Sequence, residues 1–199
     1  MQHVIASARL VLRPVHSAEA AELHALLVHE DVRRYLTDGV AMSCAWVEGI
    51  IRASAISFAE RGLGLWSARE HGAPLIIGLT GFRDFYTPPV FELLYALRPS
   101  HWQRGFATEM AQAAVDYAFR HTGLRAVRAS TDAPNQASIR VLERLGMRPH
   151  GRTAQADAAG VCWDQLHFIV LREEWQCRIP FLLRRPGNAT GREHASEHL

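Results

Sequence analysis

The chain has 199 residues, 48% of them hydrophobic, with 22 basic and 20 acidic side chains and a net charge of +2. That length suits one domain with a sizeable core, and the near-neutral balance offers no basic excess for nucleic acid or a membrane surface. All 22 basic residues are arginine, so the chain has no lysine amine, and no apolar run nears the ~20 residues of a membrane helix.

The opening MQHVIASARLVLRP has no basic cluster followed by a long apolar run and does not read as a signal peptide. Residues 9–14 (RLVLRP) alternate polar and apolar and end at proline, the pattern of a first strand. Ser17 is expected to cap a helix running to about His29, with Leu23, Leu26 and Leu27 on one face. Ser43 caps a second helix whose buried stripe is Trp46, Val47, Ile50 and Ile51, closed by Gly62 and Gly64. Residues 65–69 and 75–82 read as an antiparallel strand pair around a turn at 72–74, with Gly78 and Gly81 marking a bulge. After a turn at 87–89, residues 90–97 (VFELLYAL) form an apolar strand of the sheet centre. Its lone charge is Glu92, and Pro99 stops it.

A loop and helix follow from Gly105 to Thr122, with Met110, Ala111, Ala114, Ala118 and Phe119 on the apolar face and Gly123 as terminator. Residues 126–131 are a short strand and 132–135 a turn. A helix then carries Ile139, Val141, Leu142 and Leu145 to its stop at Gly146. A turn at 157–160 precedes a closing strand over 161–171. Residues 1–175 are expected to form the domain, and 176–199 a loosely ordered tail apart from apolar residues 179–183. The order of elements predicts a mixed α/β (α+β) layout. Cys44, Cys162 and Cys177 are odd in number and widely spaced without a C-x-x-C pair, which suggests no zinc site or disulfide framework and fits a reducing cytoplasm. The eleven histidines lack ligand spacing, so no metal is expected.

The chemistry concentrates at the junction LLYALRPSHWQRGFATEMAQ. A helix start leaves backbone N–H groups without partners and carries partial positive charge, which suits a pyrophosphate. Gly105 lets the backbone approach closely, Ala107 is the next smallest choice, and Arg104 adds charge. The plain alternative is a strand-to-helix turn in which Gly105 only relieves strain. No G-K-[ST] and no three-glycine spacing is present, so neither a Walker loop nor a dinucleotide fingerprint is read.

Residues 102–107 resemble motif A of the GNAT superfamily of N-acetyltransferases, [RQ]-x-x-G-x-[GA], at Gly105 and Ala107. Trp102 departs at the first position. With Ala107-Thr108-Glu109 it resembles the W-G-x-G-Y-A-T-E of the branch named for ribosomal-protein N-terminal acetyltransferases, Gln103 replacing the first glycine. Residues 9–14 resemble that branch's R-L-x-L-R-P, and 92–97 its E-x-G-Y-x-L with Leu94 for glycine. NQASIRVLERLG (135–146) is similar to its N-x-x-S-x-x-V-L-E-x-L-G helix, and LREEW (171–175) to its ending. The resemblance spans about residues 8–175. It implies a mostly antiparallel sheet with one splayed strand pair, acetyl-CoA as co-substrate, and a primary amine as acceptor.

Carried over residue by residue, the resemblance implies that Tyr95, Ala96 and Leu97 bond the pantetheine arm through main-chain groups. Gln103, Arg104, Gly105, Phe106, Ala107 and Thr108 would surround the pyrophosphate. Asn135 would bond the arm from the other strand's end, and its ordinary role as an N-cap is compatible with that. Ser138 would bond or protonate the thiolate, or simply support the cap; the family's usual tyrosine position is Leu142. Glu92 is the expected base, its pKa raised by burial, against a solvent-facing or arginine-paired strand carboxylate. The Leu97 N–H would polarise the thioester carbonyl. Trp163 and Asp164, expected just before the last strand, would line the acceptor pocket with the two N-terminal helices (17–61) and a hairpin around 151–162. The acceptor's identity is open and a homodimer is compatible. The alternative activities are a non-catalytic acyl-CoA sensor and a general nucleotide-binding module.

Overall fold

In the computed structural model, which describes residues 3–86, 88–156 and 162–178, eight strands divide between two antiparallel sheets. The first sheet runs in order β1 (Ile5–Ala6), β2 (Leu10–Pro14), β3 (Leu65–Glu70), β4 (Gly78–Phe85) and β5 (Val90–Leu97). The second runs β6 (Ala126–Asp132), β8 (Cys162–Leu171), β7 (Arg148–Ala156). Strands β5 and β6 are spatial neighbours but belong to different sheets. Thr87, the expected turn at 157–160, Val161 and the tail from 179 onward lie outside the described residues.

Side chains alternate across a strand, and this sorts the core into two layers. Leu93 and Leu97 of β5 pack with Phe106, Met110 and Ala114 of α4 (Phe106–His121). Leu94 and Ala96 pack on the opposite face with Leu23, Leu27, Val47 and Ile51, from α1 (Ala20–Leu27) and α3 (Cys44–Arg61). Val32 of α2 (Glu30–Leu36) joins that layer. Leu142, on α5 (Gln136–Arg144), and Trp175, on α6 (Arg172–Arg178), belong to the α4 layer. Trp175 also donates its indole N–H to Asp116 at 2.7 Å. Helix α6 thus runs across the expected 175/176 boundary. Among the described residues no helix is long and apolar enough to cross a membrane.

Main-chain direction follows from register. Phe82 N donates to Gly64 O, and β3–β4 pairing places Thr80 opposite Trp66, so residues 78, 80 and 82 turn their backbone groups toward β3. Alternate residues of an antiparallel pair exchange the ladder bonds. Leu79 and Gly81 therefore face β5, where their partners are Ala96 and Leu94. Leu93, Tyr95 and Leu97 are left with their N–H and C=O groups on the outer edge, toward β6.

Three local expectations change. The first helix starts on His16, whose Nδ1 accepts from Ala18 N at 3.2 Å while Glu19 Oε2 accepts from His16 N at 2.9 Å. A 3-10 turn, Ser17–Glu19, then leads into α1. The helix ends at Leu27 and a separate α2 begins after His29, which is extended at φ −55 and ψ 131; Glu30 and Asp31 supply the negative charge a helix start favours. Strand β4 starts at Gly78 rather than 75, because Ile77 N already bonds Ala68 O while Gly78 is Ala68's ladder partner, so two residues oppose one in a bulge. The short β1 lacked enough residues to show a period.

A Cβ at Gly81, where φ is +136, would sit 2.1 Å from Gly64 O and 2.8 Å from Leu65 Cα. Both atoms are backbone and cannot rotate away. Gly81→Ala is expected to destabilise the protein by about 3 kcal/mol, from overpacking plus an unfavourable φ, measured as the urea midpoint at constant m-value.

Candidate functional site

The α4 N-terminus is built from a loop with two left-handed residues, Gln103 (φ +60) and Gly105 (φ +79), Gly105 being the N-cap. The first intrahelical bond is Glu109 N to Gly105 O at 3.0 Å. Among the described residues, the amides of Gln103, Arg104, Gly105, Phe106, Ala107 and Thr108 have no protein acceptor. Six successive N–H groups at the start of a 16-residue helix form a cradle suited to phosphate oxygens, so the residues present fit a pyrophosphate-bearing group.

The cradle is held by Arg9 and Glu109. Glu109 Oε1 accepts from Ser7 Oγ and Arg9 N, each at 2.8 Å, and Oε2 accepts from Arg9 Nε at 2.6 Å. Arg9 also donates to Arg104 O at 2.9 Å and lies over the Phe106 ring at 4.3 Å. Arg104 itself is half exposed, 3.7 Å from Glu70 and stacked on the same Phe106 ring. Burial pushes the Glu109 carboxyl up, but the Ser7 and Arg9 hydrogen bonds and the Arg9 charge outweigh it and hold the pKa below its ordinary value. The role of Arg9 in this loop is invisible in sequence, which separates the two by nearly a hundred residues.

At the outer edge of β5, Trp102 Nε1 takes the Leu97 carbonyl at 2.8 Å and leaves the Leu97 N–H directed at the gap. Tyr95 also presents main-chain groups there. Ala96, expected to do the same, directs its backbone at Leu79 of β4, because its register makes it a ladder residue.

Tyr95 brings a second group. Its phenol lies 2.6 Å from Ser138 Oγ on α5 and donates to Ser138 O at 3.2 Å. Burial drives the Tyr95 pKa up and the Ser138 hydrogen bond only partly offsets this, so the hydroxyl stays protonated. Asn135 caps α5, its Oδ1 accepting from Ser138 N at 3.1 Å. Leu142 is 0% exposed, deep in the α4 layer.

On the opposite sheet face lies Glu92, 5% exposed. Its Oε1 accepts from Ser130 Oγ of β6 at 3.0 Å. Burial raises its pKa, and the Ser130 bond and the Arg128 charge offset that only partly. His167 of β8 pairs across the ladder with Ser130, its Nδ1 2.8 Å from Ser130 Oγ and its Nε2 2.8 Å from Thr153 Oγ1 of β7. Since the Ser130 proton is directed at Glu92, Nδ1–H donates to Ser130 and the Thr153 hydroxyl donates to Nε2. Burial, with the nearby His150 charge, lowers the His167 pKa and favours the neutral ring. The chain of bonds thus runs from a buried carboxylate to exposed Thr153. Only the β6–β8 register brings His167 to Ser130.

Trp163 and Asp164 sit inside β8 rather than before it. Trp163 shares the Glu92 face and donates to Asp132 Oδ1 at 2.9 Å. Asp164 points to the other face and meets Arg152 at 3.4 Å. Among the described residues no three metal-ligating side chains cluster.

A family model described as an acetyltransferase (GNAT) domain matches residues 9–148. YkkB of Bacillus subtilis (strain 168) is 31% identical over 146 residues, covering 70% of this chain and 81% of that protein. The uncharacterized N-acetyltransferase YnaD of the same strain is 30% identical over 101 residues, covering 50% of this chain and 59% of YnaD, less than two thirds of its length. The solved structure of RimL, a ribosomal L7/L12 alpha-N-protein acetyltransferase in complex with coenzyme A, shares the fold at a TM-score of 0.72. That match has 18% identity and covers 86% of this chain and 99% of RimL's.

Glu109 is expected to make stability pH-dependent. A carboxyl whose folded pKa is depressed contributes above its unfolded pKa and loses that contribution as pH falls through the folded value. Glu109→Gln should cost about 1–2 kcal/mol at pH 7, tempered because Arg9 is half exposed, with the gap to the parent protein closing as the acid range is entered. Urea titrations of both proteins from pH 7 to pH 3 check this.

Proposed function

Because the chain belongs to the acetyltransferase (GNAT) family, we propose that it transfers the acetyl group of acetyl-CoA to a primary amine by direct attack. Through WQRGFATE and NQASIRVLERLG it resembles the RimJ/RimL-type branch of that family. The observation that carries the reading is the free outer edge of β5, lying between a cradle of unpartnered amides and a buried carboxylate. When bound, acetyl-CoA supplies the activated acetyl thioester.

The amides of Gln103 to Thr108 hold its pyrophosphate, with Arg104 adding charge at the rim. Tyr95 and Leu97 offer main-chain groups to the pantetheine arm, and the Asn135 side-chain amide, whose oxygen is occupied in capping, has its N–H donors left for the arm's other side. The Leu97 N–H donates to the thioester carbonyl oxygen, where negative charge grows during attack.

Glu92 takes the proton of the incoming ammonium, directly or through a water, so that the neutral amine attacks. The raised pKa makes its carboxylate a stronger base than a solvent-exposed one. The Ser130–His167–Thr153 chain, each of whose protons is directed toward Glu92, orients the carboxylate for that step. On the far side of the thioester, the Ser138 hydroxyl donates to the departing thiolate, and the Tyr95 phenol 2.6 Å away orients that hydroxyl. This pair does what a tyrosine at the Leu142 position would do.

The test is release of free thiol from acetyl-CoA with a panel of peptides, amino acids, polyamines and aminoglycosides. Turnover with at least one amine class supports the reading, while acetyl-CoA binding without turnover of any of them sinks it in favour of a sensing role. A base works only when ionised, so a raised pKa moves the acid limb of the kcat/KM profile above the ordinary carboxylate range. Glu92→Gln should lower kcat/KM about 100-fold or more and erase that limb. Tyr95→Phe and Ser138→Ala should each reduce kcat while leaving the limb in place.

A further inference from the structure

Arg83 lies on β4 directly opposite Glu92 in the ladder, so the two side chains leave the sheet on the same face. They do not pair: Glu92 turns to Ser130, and no ion pair or hydrogen bond reaches the Arg83 guanidinium among the described residues. The other half-buried arginines, Arg33, Arg69, Arg98 and Arg172, all have oxygen partners, and the arginines that lack one besides Arg83 are exposed. Asp84, the next residue, points to the opposite face and bonds Arg61 at 3.0 Å. Arg83 instead lies against two aromatic rings, 4.9 Å from the Phe85 centroid and 5.8 Å from that of Trp46. Burial pulls its pKa down, with only partial recovery from the Asp84 charge.

Arg83 lines a small, partly open apolar recess with an enclosed volume of about 20 Å³, together with Leu27, Leu36, Trp46, Ile50 and Leu94. The enclosed part holds only a methyl-sized group, so the apolar tip of a ligand enters it while the polar part stays in the open mouth beside Arg83. A half-buried cation without a protein acceptor is partly stripped of water, and an anion arriving with the ligand offsets that cost. Arg83 thus borders a recess with apolar walls from α1, α2, α3 and the sheet, and its ladder partner Glu92 leaves the sheet on the same face beside it.

We propose that the acceptor is a small amino acid with an apolar side chain, held with its amine toward Glu92 and its carboxylate on Arg83. Zwitterionic substrate and oppositely charged walls are complementary, and the fork of the guanidinium matches a carboxylate in bidentate fashion. Polyamines are disfavoured because a second ammonium would meet Arg83. The inference rests on the acetyl-transfer reading above.

The experiment measures thiol release from acetyl-CoA with leucine, methionine and phenylalanine, with the amide of each, and with spermidine. Each acid is expected to exceed its amide in kcat/KM by at least tenfold, and spermidine by more. Arg83→Met keeps the stem and its ring contacts, and should collapse the acid-to-amide ratio to about one through KM; Arg83→Lys should restore part of it. Amides turned over as well as acids, or an unchanged ratio in Arg83→Met, would overturn the proposal. If no amine is turned over, the transfer reading fails, and calorimetry then decides Arg83 alone. Leucine binding to the CoA-loaded protein, lost in Arg83→Met and absent for leucinamide, upholds the anchor; no binding, or equal binding of both, removes it.

Discussion

The outer edge of β5 has no backbone ladder partner, and every candidate site group is arranged around that edge. Where β6 would complete the sheet, it joins a second one instead. Side-chain bonds flank that edge instead, among them Ser130 to Glu92 on the α1–α3 face and Tyr95 to Ser138 of α5 on the α4–α5 face. Both bonds involve hydroxyls, which can donate and accept, and the gap between the sheets keeps main-chain donors available.

This arrangement carries an energetic penalty. Glu92 is buried and Arg83 half-buried without being each other's counter-ion, and among the described residues six amides at α4 have no protein acceptor. Each is unfavourable in a fold judged on stability alone. The two apolar layers on either side of the first sheet and the Arg9–Glu109 lock compensate nearby. Arg9 reaches α4 from β2, so the strand that opens the chain also fixes the loop that follows β5. Glu92 and Arg83 leave the first sheet on the same face.

Much of this was legible because it is local. Ser43 and Asn135 cap helices as their spacing implied, since a cap and the amide it bonds lie three residues apart. Glu92 stood out as one charge in an apolar strand, and its burial follows from that strand's central position. Local signals misled where a different residue met the same need. His16 capped in place of Ser17, and the extended His29 divided one expected helix into two. Ala96 was grouped with Tyr95 and Leu97 as a run of three, whereas a strand's period of two separates it from both.

From sequence alone came the order of elements, the glycine that starts α4, the cap of α5 and the family to which the chain belongs. All depend on contacts within a few residues or on motifs read in line. Tertiary structure alone decided which side chains face one another across strands. It brought His167 to Ser130, the Tyr95 phenol to Ser138, Arg9 to the α4 loop, and Arg83 to the same face as Glu92. Register and strand order bring together residues far apart in the chain, and no periodicity within one segment encodes a pairing that depends on another.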